Sequence, residues 1–188
     1  MKQVIARKLK VLDFDIENRP LSYWIPDRPS AEITAIAACW VGDPKSMKCW
    51  LLGRDDPIEM LEGFKKLYDE ADMVTGHYIR RHDLPIIQGA ILENGLKPLG
   101  KKFAQDTKVD LVRMSDIPVS QENLLEILQT AGSKYHMTQQ MWRTANRLTP
   151  KGLALTEKRV TSDVRMHIKM RKELIKRDLL MPPRIWGG

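Results

Sequence analysis

The chain has 188 residues, 43% of them hydrophobic and 29% charged, which suits one domain with a core of ordinary size. Its two cysteines, Cys39 and Cys49, are too few for a disulfide framework or a cysteine-built zinc site, and no apolar run is long enough to span a membrane or to form the heart of a signal peptide. The expectation is a cytoplasmic protein without a membrane partner, and the net charge of +7 favours a polyanionic one.

Taken in order, residues 9–17 read as a first strand, with Val11-Leu12 running into strict alternation. Residues 18–30 carry Pro20, Pro26 and Pro29 and read as an irregular loop. Ala31 to Val41 is a second strand, Gly42 to Ser46 a turn and Met47 to Leu52 a third strand. Pro57 opens a helix through Asp72, with Leu61, Phe64, Leu67, Tyr68 and Ala71 as its core stripe. Met73 to Gly76 is a short fourth strand, and Asp83-Leu84-Pro85 starts a helix that Gly95 ends. A fifth strand lies within Phe103 to Leu111. Ser120 caps a helix that Gly132 terminates, and a short helix spans 139–145. A long helix runs from Leu153 to about Leu180, with Val160, Val164, Ile168 and Ile175 as its stripe. The last residues, 181–188, read as an irregular tail. These elements predict one α/β domain over 1–188, a mixed five-stranded sheet with helices on both faces.

Three places carry acidic chemistry. In the first strand Asp13, Asp15 and Glu17 share one face, because side chains alternate with period two. Like charges that close repel unless something positive lies between them, so this is either a solvated edge or part of a divalent-metal site. Asp83 follows Gly76-His77 and a polar turn, as a helix N-cap or as a further ligand. Arg159, Asp163 and His167 recur every four residues in the last helix and stack on one face.

The order Asp15-Ile16-Glu17, Gly76-His77 with Asp83-Leu84-Pro85, Asp106-Thr107 and Asp163-Val164 resembles the DEDD 3′-5′ exonuclease family. Within it, the pattern is most similar to the branch related to the proofreading domains of family B DNA polymerases, and it covers residues 9–178. The resemblance implies a ribonuclease H-like fold. It also implies Asp15, Glu17, Asp83 and Asp163 as ligands of two Mg²⁺ or Mn²⁺ ions, with Asp15 bridging them. The residue types suit that role, since hard divalent ions prefer carboxylate oxygens, and two ions can clamp both the attacking and the leaving oxygen of a phosphodiester.

The chain departs from the family pattern at several positions. Tyr78 stands where members carry asparagine, and His82 where they carry an aromatic. Lys158 and Arg159 stand where a histidine or tyrosine positions the attacking water. Arginine has no acceptor and does not deprotonate, so Arg159 is a candidate for holding the scissile phosphate, while His167 and His82 are the candidates to handle the proton. Tyr23, Trp24 and Tyr78 are candidates for stacking on bases. The reading is a 3′-5′ exonuclease on single-stranded or frayed nucleic acid, with DNA ahead of RNA. Its alternatives are a degenerate nuclease fold that only binds nucleic acid and a structure-selective endonuclease.

Overall fold

The computed structural model describes residues 9–21, 30–112 and 116–187. Six strands form one sheet: β1 (Val11–Leu21), β2 (Ser30–Trp40), β3 (Lys48–Leu51), β4 (Met73–Gly76), β5 (Lys102–Asp106) and β6 (Arg184–Trp186), in the spatial order β3-β2-β1-β4-β5-β6. β1, β4 and β5 run parallel, whereas β2, β3 and β6 are antiparallel to their neighbours. The helices are α1 (Pro57–Glu70), α2 (Asp83–Glu93), α3 (Thr107–Leu111), α4 (Gln121–Ile127), α5 (Gln139–Ala145) and α6 (Pro150–Lys176). This is the expected mixed α/β sheet with one strand more. The tail read as irregular supplies β6, where Phe103 pairs with Ile185.

The alternation in β1 divides the molecule into layers. Leu12, Phe14 and Ile16 pack with Phe64 and Tyr68 of α1 and Leu84, Ile87 and Ile91 of α2 in one core. On the other face of the sheet, Ala35, Ala37 and Cys39 of β2 pack against Val160 and Val164 of α6. A third cluster joins Leu124, Leu125 and Leu128 to Met166, Met170 and Leu174 of α6. The buried stripe of α6 therefore includes these last three side chains, while the expected Ile175 is 52% exposed.

Three boundaries differ from expectation for local reasons. β1 continues through Pro20 because there it pairs only with β2, so a missing N–H breaks no second ladder. The register passes from Glu17 opposite Ala35 to Asn18 opposite Ile33, leaving Thr34 as an extra residue in β2, a bulge that bends the ribbon just past Glu17. β5 stops at Asp106, whose carboxylate accepts the N–H groups of Lys108 and Val109 and so starts α3. Likewise α6 starts at Pro150, not Leu153, because Thr149 caps it.

Gly76 ends β4 where only glycine fits. A Cβ there would lie 2.4 Å from Cγ2 of Ile79 and 2.8 Å from the carbonyl oxygen of Phe14. The chain thus turns hard against β1 directly before the segment that carries Asp83. The C-terminal ends of β1, β4 and β5 all lie at one end of the sheet, the place where open α/β sheets bind their ligands.

Candidate metal centre

Strand and helix periodicities match across the gap between β1 and α6. Two residues of strand advance about 6.6 Å and four residues of helix about 6.0 Å. Running antiparallel to β1, the polar stripe of α6 therefore meets its odd-numbered residues rung by rung. Arg159 pairs with Glu17, with Nε 3.5 Å from Oε1. Asp163 meets Asp15, and at the inner rung Nδ1 of His167 lies 2.6 Å from Oδ2 of Asp13.

One carboxylate oxygen each of Asp15, Glu17 and Asp163 lie within 4.8 Å of one another. Asp163 is buried, and its Oδ2 is ion-paired with Lys134 Nζ at 3.1 Å and with Nη2 of Arg159 at 3.0 Å. Its Oδ1 is buried and without a hydrogen-bond partner. Leaving a buried acceptor unpaired costs about 1–3 kcal/mol, so this oxygen fits a position that a cation fills. Burial, and then the charges of Asp83, Asp163 and Glu17, hold the Asp15 carboxyl well above the usual carboxylate range. Glu17 is pushed up to about 7, first by burial and then by Asp163. The donor set is three hard oxygens with too little positive charge, which suits a divalent cation.

Asp83 opens α2 but does not act as its cap. Its Oδ1 accepts the N–H of Ile16 at 3.1 Å, and Oδ2 faces Nδ1 of His82 at 3.3 Å. It stands beside Asp15 and outside the three-carboxylate group, and burial raises its pKa as well. The hydrogen bond to Asp83 raises the pKa of the half-exposed His82. Tyr78 adopts φ 81°, a left-handed conformation unusual for a side chain of that size. Asp106 enforces it by accepting the N–H groups of Tyr78 and Arg80 as well as capping α3, so this carboxylate is structural. The Tyr78 ring stacks on His82 and lies under Lys108.

The other sequence candidates are distributed less favourably. His167 is 2% exposed with both ring nitrogens taken, Nδ1 by Asp13 and Nε2 by Thr107 Oγ1 at 3.0 Å. Tyr23 and Trp24 lie outside the described residues. Lys134 was not singled out by the sequence. It is one of 31 basic residues, in an irregular connection, and nothing local marks it. The segment around it is fastened to α6, since Tyr135 N–H donates to Ser162 Oγ and Arg159 donates to the Tyr135 carbonyl at 2.8 Å. Cavities of about 330 Å³ and 520 Å³ flank this segment, both lined by Lys134 and His136, the second also by Lys158 and Arg165.

In fold, the chain is similar to the family B DNA polymerase from the hyperthermophilic archaeon Pyrobaculum calidifontis, with a TM-score of 0.68 and 17% identity. The match covers 92% of this chain and 25% of that one, so the chain spans a quarter of the polymerase's length. No protein-family model and no curated protein matches the sequence. Fold and site together define a ribonuclease H-like α/β domain with an acidic group placed to hold metal. No helix among the described residues is long and apolar enough to cross a membrane.

Proposed function

We propose that this chain is a divalent-metal-dependent 3′-5′ exonuclease acting on single-stranded or frayed nucleic acid, DNA ahead of RNA. The observation that carries the reading is the meeting of Asp15 and Glu17 with Asp163, residues nearly 150 positions apart in sequence. Asp15, Glu17 and Asp163 would hold Mg²⁺ or Mn²⁺, and Asp83 would complete the set from the Asp15 side. The bound metal supplies an activated water and charge stabilisation for the departing oxygen. Arg159 and Lys134 present their N–H groups at the rim of the acidic group, where a phosphate can accept from them. Because both nitrogens of His167 are engaged, His82 is the one of these two imidazoles left with access to solvent, beside Asp83. Tyr78 lies on the same side, and a terminal base would stack on its ring in place of Lys108 or His82.

The test is a 5′-labelled oligonucleotide incubated with Mn²⁺. A ladder of shortened products that EDTA and Asp15→Asn both abolish is expected. Internal fragments from a closed circle would instead assign endonuclease action. One observation favours a second reading, nucleic-acid binding without turnover: Arg159 and Lys134 already occupy oxygens of Glu17 and Asp163. Oligonucleotide binding with no product under any metal would select it.

A further inference from the structure

Beneath the acidic group lies a buried polar chain that the proposed chemistry does not use. Asp13 is 0% exposed, Thr107 0% and His167 2%. His167 Nδ1 is hydrogen-bonded to Asp13 Oδ2 at 2.6 Å. Nε2 lies 3.0 Å from the Thr107 hydroxyl oxygen, which is also 3.0 Å from Nδ1 of His77 and 3.3 Å from the Gly76 carbonyl oxygen, its hydrogen-bond acceptor. Each link joins a different element: β1, α6, the first residue of α3 and the turn after β4. Those same elements deliver the acidic side chains. β1 brings Asp15 and Glu17, α6 brings Asp163, and the turn after β4 leads to Asp83. Asp106, directly before Thr107, holds that turn through the N–H groups of Tyr78 and Arg80.

A buried ionisable pair is a poor source of stability compared with apolar packing, and its best-attested use is to fix register. Register matters here. A slide of α6 by one residue moves Asp163 by about 1.5 Å. Mg²⁺ tolerates little of that, since it takes oxygens at about 2.0–2.1 Å in near-octahedral geometry. The flanking contacts of α6, Val160 and Val164 on one side and Met166 and Met170 on the other, are non-directional and do not forbid a small slide.

We infer that Asp13, His167, Thr107 and His77 are positioning residues that lock α6 against β1 and so set the spacing of the metal-binding carboxylates. The inference rests on the metal-site reading above. It is tested by Mn²⁺ titration, followed by electron paramagnetic resonance, together with thermal unfolding of the metal-free protein. Thr107→Val keeps the shape and removes the hydroxyl, whereas Thr107→Ser keeps the hydroxyl and removes the methyl. The expected result is a loss of about 10–100-fold in Mn²⁺ affinity for Thr107→Val and near wild-type affinity for Thr107→Ser. A second pair guards against a variant that does not fold. His167→Gln retains polar atoms that can bond Asp13 and Thr107, and should hold Mn²⁺ more tightly than His167→Leu. Equal Mn²⁺ affinity in wild type and Thr107→Val would overturn the inference and leave the metal site standing. So would losses that follow unfolding temperature alone across all four variants. Absence of Mn²⁺ binding by the wild type would remove the metal site itself.

Discussion

Three other carboxylates, those of Glu17, Asp83 and Asp163, raise the pKa of Asp15, and Lys134 opposes them. Function and stability therefore pull in opposite directions at this residue. Asp15→Asn removes a desolvated carboxyl that three neighbouring carboxylates disfavour and Lys134 only partly offsets without metal, so in EDTA the variant is expected to gain roughly 1 kcal/mol, or about 2–4 °C in unfolding temperature. The same variant should lose Mn²⁺ binding and cleavage, as calorimetry and the oligonucleotide assay would show. A variant less stable than wild type in EDTA would mean that Asp15 is already paired. His77 gives a prediction of the opposite kind. Burial, then His167, pushes its pKa down to about 3. The unfolded chain takes up that proton near pH 6.5, so between these values it binds more protons than the native state. The contribution of His77 to stability is therefore complete above about pH 6.5 and lost as pH falls towards 3, with a slope of at most about 1.4 kcal/mol per pH unit. Denaturant unfolding from pH 7 to 4 should show a shallower pH dependence for His77→Gln than for wild type.

At the level of elements, β4 and β1 approach so closely that the turn delivering Asp83 depends on one missing side chain. Gly76→Ala drives a Cβ into Ile79 and the Phe14 carbonyl. Overpacking of this kind costs about 1–3 kcal/mol, read as a shift of the urea midpoint at unchanged slope. If the turn yields, Asp83 also leaves the N–H of Ile16, and Mn²⁺ affinity falls with it; a midpoint equal to wild type would show that Gly76 is not under steric demand. The elements also show where local pattern was enough and where it was not. The alternation of β1 and the four-residue repeat of Arg159, Asp163 and His167 are written in adjacent residues, and both elements formed, though with shifted ends. β6 was not legible, since three residues after Pro182-Pro183 carry no periodicity and gain strand form only by pairing with Lys102, Phe103 and Ala104. The end of β5 within Phe103 to Leu111 was left open, because nothing local shows that the Asp106 carboxylate ends the strand by capping α3.

Over the whole molecule, the +7 charge is unevenly useful. Arg80 is committed to Asp110, and Lys102 to the Ala71 carbonyl, so neither is free to follow a phosphate backbone. Lys158 and Arg165, exposed beside the cavity of about 520 Å³, are better placed. If a single strand passes there, affinity falls with salt, and each neutralised contact lowers the slope of log affinity against log salt by about 0.7. Fluorescence anisotropy with the Asp15→Asn protein should show that change for Lys158→Gln and for Arg165→Gln, and no change for Lys102→Gln. Equal slopes in all three would place the strand elsewhere.

By itself the sequence determined which residues share a face and where most helices begin, because these follow from spacing and from caps within a few residues; the acidic set came from the resemblance of its order to a known family. Only the tertiary structure decided what each acid touches. It set Asp83 on the backbone of β1 instead of capping α2, brought Lys134 to Asp163 from an unmarked connection, and tied His167 to Asp13 across 154 residues. Such pairings depend on how strand and helix pack at a distance, and no local pattern encodes the partner.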